Sequence, residues 1–189
     1  MKKLMVIPFA LVFAACAHSK GPMAMATLDS TSGSTAKGTV HFQNAGEDGV
    51  EVVADLTGVP PGVHGFHVHE KGDCGNNGTN AGGHFNPTAM VHGAPDAVSH
   101  HAGDFGNVTA DDKGEVHARF TTHSISINTG ANAVVGHAVV LHGNPDDLVS
   151  QPAGNAGPRI ACGVTTLMNM STPMASSGQF SGGQHRSSL

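Results

Sequence analysis

The sequence predicts an all-β domain, an antiparallel sandwich or barrel of about eight short strands with two long functional loops. Charged side chains make up only 12% of the 189 residues, against roughly 25% in an average globular protein. The 26 glycines and 10 prolines disfavour a helical bundle or a coiled coil. Apolar side chains instead recur at every second position over short stretches, as in strands with one face in water.

The predicted strands follow one another at short intervals. The clearest is residues 50–56, where Val52 and Leu56 share one face and Asp55 lies on the other. Clusters of Gly, Pro, Asn and Asp separate the runs, as turns do. The remaining predicted strands are residues 38–43, 64–70, 107–109, 115–121, 138–142 and 159–166.

Two connections are too long and too rich in glycine for simple hairpin turns. They span residues 74–104 and 143–158. Loops of this length in a compact domain are usually functional. We therefore expect them to cover the site.

The first 15 residues have the form of an export signal. Two lysines precede an apolar run at residues 4–13, which is too short to span a membrane. The small residues before Cys16 resemble the lipobox of bacterial lipoproteins, in which the cysteine is lipidated and becomes the mature N-terminus. We expect an exported protein of the periplasm or cell envelope, anchored to a membrane only through a lipid on Cys16. Cleavage after Ala17, which would release a soluble protein, is the alternative.

The rest of the chain divides into three segments. Residues 16–25 are predicted to be a tether and residues 26–167 the compact domain. Residues 168–189 are rich in Ser, Gly and Met and offer little apolar surface to bury, so we expect a disordered tail.

The chain is acidic. Its formal net charge is −5, and loss of residues 1–15, which contain two lysines and no acidic residue, leaves −7. Because it has no basic field to hold a phosphate backbone, we expect no nucleic-acid partner.

Cys74 and Cys162 remain once Cys16 is assigned to the signal. An even pair in an exported, oxidising setting predicts a disulfide. Two buried free thiols are the alternative.

Histidine is unusually frequent, with 14 residues, and imidazole is a common ligand of transition metals. His67 and His69 are two residues apart in a predicted strand, so both project from one face while Phe66 projects from the other. Such a pair alone is more often solvated than ligating. A metal site needs further ligands nearby.

The following loop supplies candidates for these ligands: His84, His92, His101 and Asp104. Three imidazoles and a carboxylate suit a closed tetrahedral zinc site. His142 ends an apolar strand and, if one loop histidine is shared, completes a set of four nitrogens that suits Cu(II). Two adjacent metals of this kind indicate redox chemistry.

Together these motifs resemble the copper/zinc superoxide dismutase family. The resemblance spans residues 38–164 and rests on GFHVHEKGDC, GGHFNP, HHAGDFGN, VVLH and GNAGPRIACGV. It implies a Greek-key order of strands and dismutation of superoxide to dioxygen and hydrogen peroxide, with copper and zinc as cofactors. It implies copper at His67, His69, His84 and His142, and zinc at His84, His92, His101 and Asp104, with His84 as the bridge.

The resemblance also implies roles for residues around the metals. Asp146 would join a copper ligand to a zinc ligand. The resemblance also pairs Cys74 with Cys162, which is the disulfide already predicted from the cysteine count. Arg159 would anchor the superoxide anion, and His84 would carry a proton to the nascent peroxide. Residues 147–157 form a shorter loop than in many animal members and contain no lysine. Steering of the anion must therefore rely on Arg159 and the metals.

Two further histidines are predicted to be ordinary. His64 faces the same side as Phe66 and is expected to be a hydrogen-bonded structural residue. The spacing from Asp104 selects His101, not its neighbour His100, as the zinc ligand.

A non-enzymatic copper- and zinc-binding protein of the envelope is the alternative function. Methionines near both ends favour it, because thioethers suit Cu(I); they include Met23, Met25, Met168, Met170 and Met174. More than one bound copper per chain with little dismutation would distinguish it. The sequence leaves open whether the chain forms a homodimer.

Overall fold

The computed structural model describes residues 21–168, which contain nine strands and no α-helix. Two single-turn 3-10 helices lie at Gly46–Asp48 and Thr79–Ala81. The strands are β1 (Met23–Ser30), β2 (Lys37–Asn44), β3 (Val50–Thr57), β4 (Gly62–His69), β5 (Asp104–Ala110), β6 (Val116–Thr122), β7 (Ala138–His142), β8 (Arg159–Val164) and β9 (Thr166–Leu167).

The strands form one antiparallel, nearly closed barrel in the order β5-β4-β7-β8-β1-β2-β3-β6, with the short β9 paired to β1. One half of the barrel consists of β5, β4, β7 and β8, and the other of β1, β2, β3 and β6. The two halves are joined where Asp29 and Ser30 of β1 pair with β8. The connections from β3 to β4 and from β6 to β7 cross between the halves, as in a Greek key. The predicted fold class is confirmed.

Alternation of side chains along the strands builds the barrel core. In β3, Val50, Val52, Ala54 and Leu56 are buried while the residues between them are half-buried or exposed. Phe42 of β2 and Phe66 of β4 are fully buried. The core therefore follows the period of two that the sequence shows.

The first strand corrects the predicted domain boundary. The predicted tether, residues 16–25, is wrong for its last three residues, because β1 begins at Met23 and not after residue 25. Ala24, Ala26 and Leu28 of β1 point into the core. Two of these side chains are alanines, whose small apolar surface gives a weak strand signal.

Several predictions concern segments outside the described residues. These are the export signal at residues 1–15, the lipidation of Cys16, and the disorder of the tail from residue 169 onward. Within residues 21–168, no helix is long and apolar enough to cross a membrane.

A disulfide joins Cys74, at the start of the first long loop, to Cys162 of β8, with an S–S distance of 2.01 Å. The predicted pairing is confirmed. The two residues are 88 positions apart, and closing a loop of that length stabilises a fold by about 4 to 5 kcal/mol in the chain-entropy model. The bond fixes the first loop beside Arg159, where β8 begins.

Candidate metal centre

Adjacent strands supply three of the predicted copper ligands. His67 and His69 lie on β4, and β4 pairs with β7, which ends at His142. All three histidines are at most 5% exposed. They are buried although they lie on the face away from Phe66, because the two long loops cover them.

The first cluster contains the four residues of the predicted copper set: His67, His69, His84 and His142. One ring nitrogen from each lies within 4.8 Å of the others. Nε2 of His69 lies 3.2 Å from Nε2 of His142. The two nitrogens therefore face the same point, at a separation that two ligands of one metal ion can have.

The second cluster contains the four residues of the predicted zinc set: His84, His92, His101 and Asp104. Oxygens of Asp104 lie 2.7 Å from Nδ1 of His84 and 3.1 and 3.2 Å from the Nδ1 atoms of His92 and His101. Four ligands at about 2.0 Å from a tetrahedral zinc ion are about 3.3 Å apart. The spacing therefore fits ligand atoms around one such ion.

Buried ring nitrogens without a hydrogen-bond partner provide an independent test of the fit. In the described part of the chain they are His67 Nδ1, His84 Nε2, His92 Nδ1 and His101 Nδ1. A buried polar atom without a partner costs free energy. Each of these atoms belongs to one of the two clusters, so metal ions at the clusters would satisfy all four, and the residues fit copper and zinc.

His84 is the residue that the two clusters share. Its Nδ1 faces Asp104 of the second cluster, and its Nε2 is buried with no partner among the described residues. The residue is only 6% exposed, and its side chain is fully buried. One imidazole is therefore available to two ions, one at each nitrogen.

Asp146 connects the clusters from outside. Its carboxylate accepts a hydrogen bond from Nε2 of His67 at 2.7 Å and another from Nε2 of His92 at 3.0 Å. Both rings are thereby oriented with Nδ1 toward the clusters. Such outer partners fix the tautomer and orientation of metal-binding histidines.

Backbone carbonyls orient the other two histidines of the first cluster. Nδ1 of His69 donates to the carbonyl of Gly82 at 3.0 Å, and Nδ1 of His142 donates to that of Gly157 at 3.2 Å. Nε2 of each ring is then left for the cluster. Both loops thus help to orient these rings.

Burial keeps three histidines of the first cluster neutral. It lowers the pKa of His67 and of His69 well below the usual value, and the nearby His84 lowers both further. The pKa of His142 falls to about 4, again mainly through burial. Neutral imidazole is the form that binds metal. Protons therefore compete little for these nitrogens at neutral pH.

Asp104 has the opposite requirement, because a carboxylate must be ionised to bind a metal. Burial alone would raise the pKa of Asp104. Hydrogen bonds from the His84 ring and the His101 backbone amide outweigh burial and hold the pKa below its usual value. The second cluster thus carries a negative charge suited to a divalent cation.

A cleft of about 250 Å³ opens onto the first cluster. His84, His142 and Arg159 lie on its wall. The Arg159 guanidinium donates hydrogen bonds to the carbonyls of Gly78 and Gly82. Partial burial lowers the pKa of Arg159, but a guanidinium remains protonated in proteins. The cleft therefore presents one fixed positive charge beside the candidate copper ligands.

The remaining histidines in question lie outside both clusters. His64 is buried, and its ring nitrogens lie 2.8 and 2.7 Å from the carbonyls of His142 and Pro60, as its predicted structural role requires. Nδ1 of His100 donates to the carbonyl of His101. Neither residue belongs to a described metal cluster.

Sequence reasoning missed two residues of the second long loop. Gln151 hydrogen-bonds the backbone of His92, and Gly154 packs against Asp146 and the His92 ring. A glutamine 59 positions from its partner carries no periodic or motif signal. Gly154 carries no signal either, because it is one glycine among several in a glycine-rich loop.

This barrel carries two buried clusters that share one imidazole and are suited to hold metal ions side by side. A family model described as copper/zinc superoxide dismutase (SODC) matches residues 36–165. The chain belongs to this family.

A solved structure titled as that of the clock protein EA4 is similar in fold and sequence. The two chains are 38% identical, with a TM-score of 0.72, and the match covers 79% of this chain and 97% of EA4. The match supports the fold of the family.

Proposed function

We propose that the protein dismutes superoxide to dioxygen and hydrogen peroxide. In this proposal copper is held by the first cluster and zinc by the second, and His84 bridges them. The observation that carries the proposal is the His84 ring, with Nδ1 facing the zinc set and a buried Nε2 that no group within residues 21–168 satisfies.

Copper bound by His67, His69, His84 and His142 supplies one-electron oxidation and reduction, and zinc bound at the second cluster holds its ligands in place. Arg159 binds the anion. Its guanidinium lies on the cleft wall that His84 and His142 also line. Two backbone carbonyls fix the planar guanidinium fork of Arg159, so its positive charge is positioned before substrate arrives.

His84 moves a proton. Dismutation converts two superoxide anions and two protons into dioxygen and hydrogen peroxide. Nε2 of His84 holds one of these protons in one half of the cycle and gives it to the reduced oxygen in the other. The 2.7 Å contact of Nδ1 with Asp104 keeps the ring oriented for both tasks.

We also propose that the protein works outside the cytoplasm, as a lipoprotein of the cell envelope or periplasm. The signal-like residues 1–15 and the lipobox-like residues before Cys16 support this. The disulfide is of the kind that persists in oxidising compartments.

A second candidate function is metal binding without turnover. One solved structure similar to this chain is titled as that of a clock protein. Metal analysis of the purified full chain, with superoxide removal measured before and after chelation, separates the two. We expect one copper and one zinc per chain and loss of activity on chelation. Several coppers per chain with negligible dismutation would support the second candidate.

A further inference from the structure

The side chain of Gln151, on the second long loop, hydrogen-bonds the backbone of His92, which lies on the first long loop. The His92 amide N–H donates to Oε1 of Gln151 at 2.9 Å. Nε2 of Gln151 donates to the His92 carbonyl, also at 2.9 Å. One side chain thus satisfies both backbone groups of a candidate zinc ligand.

The same loop also holds the His92 ring. Asp146 accepts the hydrogen bond from Nε2, and Gly154 packs so closely that a side chain there would overlap both that nitrogen and the carboxylate. His92 is therefore held by its backbone through Gln151 and by its ring through Asp146. Only Nδ1 remains, and it faces the zinc set.

Gln151 lies on a wall of the active cleft as well. It lines the cleft together with Pro152 and Ala153, and His142 and Arg159 also belong to the lining. A third hydrogen bond, from Nε2 to the Val149 carbonyl at 3.2 Å, ties the side chain to its own loop. The two hydrogen bonds between Gln151 and the His92 backbone, called the clamp below, thus connect the cleft wall to a candidate zinc ligand.

We infer that Gln151 is a positioning residue that sets the orientation of His92 for zinc and transmits zinc binding to the wall of the cleft. The inference rests on the proposed metal sites. Groups that orient a metal ligand from outside contribute about 10- to 100-fold to metal affinity. The clamp is specific to the zinc half of the site, because Gln151 makes no hydrogen bond to His67, His69 or His142.

The test uses the metal-free full chain with zinc alone and, separately, Cu(II) alone. Gln151→Met keeps the length of the side chain but loses all three hydrogen bonds. Val149→Ala is the control, because Val149 is exposed on the same loop and offers the clamp only its backbone. Affinities are measured by competition with a chromophoric chelator.

We expect Gln151→Met to lower zinc affinity about tenfold, with little change in Cu(II) affinity or in the thermal midpoint of the metal-free protein. The control should match the parent. Zinc should also slow amide hydrogen exchange across residues 149–154 in the parent, and much less in Gln151→Met.

Parent-like zinc affinity in Gln151→Met would overturn the inference, as would an equal loss of zinc and copper affinity, which indicates general loosening of the site. If the parent chain itself fails to bind zinc, the proposed function fails, and the role of Gln151 toward zinc fails with it.

Discussion

Nδ1 of His84 lies 2.7 Å from Oδ1 of Asp104, at the meeting point of the two buried clusters. The contact fixes which ring nitrogen belongs to the zinc set and leaves Nε2 for the copper set. The proposed bridge between copper and zinc depends on this assignment of one His84 nitrogen to each cluster.

His84→Ala should remove the bridge without unfolding the barrel, because the ring contacts metal ligands and lies outside the apolar core. Loss of one outer partner already costs about 10- to 100-fold, so loss of a shared ligand should lower dismutation at least about 100-fold. Pulse radiolysis and the thermal midpoint of the metal-free protein report the two effects. Parent-like activity would contradict the bridging assignment.

Gly154→Ala should separate Asp146 from His92. A Cβ at residue 154 would overlap the carboxylate and the Nε2 of His92, and the residue has a positive φ of 63° that disfavours alanine. Zinc affinity should fall about 10-fold or more. Gly130→Ala is the control, since its φ is also positive but no atom of residues 21–168 lies within 4 Å of a Cβ placed there. Equal zinc affinities in the two variants would refute the role of this packing.

The metal-free protein should lose stability in acid. The pKa of His142 is about 4 in the folded state and those of His67 and His69 are also lowered, against about 6.5 when unfolded. Between these values the unfolded chain binds more protons, so the free energy of unfolding falls as pH falls from about 6.5 to about 4. His142 alone accounts for about 3 kcal/mol.

Urea unfolding of the metal-free chain at a series of pH values measures this loss. Bound zinc and copper should shift the loss to lower pH, because metal competes with protons for the same nitrogens. An unfolding free energy that stays constant over this range would show that the histidines titrate normally in the folded state.

Arg159 should dominate attraction of the substrate. The full chain carries −5, loss of the predicted export signal would leave −7, and residues 147–157 contain no lysine, so the long-range field repels an anion. Activity should fall in the order Arg, Lys, Ile, Glu at residue 159, with metal content unchanged because Arg159 belongs to neither cluster. Lysine keeps the charge but cannot reproduce the fork held by Gly78 and Gly82.

Because the local attraction of Arg159 is expected to outweigh the repulsion from the acidic chain, salt should slow the parent. Salt should help the glutamate variant, since charges are screened over about 8 to 10 Å at moderate ionic strength. Pulse radiolysis across a salt series gives both trends. An isoleucine variant as fast as the parent at every salt concentration would show that Arg159 neither guides nor anchors superoxide.

Cys16→Ser should release the exported protein from the membrane, because the serine hydroxyl cannot form the thioether of a lipoprotein. Detergent partition and mass measurement of the mature N-terminus test this. Unchanged partition into detergent would show that any anchor lies elsewhere in the chain.

The sequence predicted most of the barrel because its strands alternate apolar and polar side chains. Residues 138–142 coincide with β7, and residues 50–56 match β3 to within one residue. The alanine-rich β1 was missed, since two of its three inward side chains are small. β5 begins at Asp104, earlier than predicted, where a register shift against β4 breaks the alternation.

The site was predictable as far as its ligands have recognisable spacing and motifs. All seven candidate ligands were named from the sequence, and the structure brings them together in two clusters. The contact of Gln151 with His92 was not predictable, because it joins polar groups of two irregular loops whose approach depends on the folded barrel.

The most direct test of the central claim is the number of superoxide anions removed per bound copper, measured by pulse radiolysis on the full chain loaded with copper and zinc. A catalyst removes many anions per copper without loss of rate, and the zinc-only and metal-free forms should remove none beyond the spontaneous reaction. Removal that stops after one anion per copper, or equal rates with and without copper, would contradict the proposed dismutase activity.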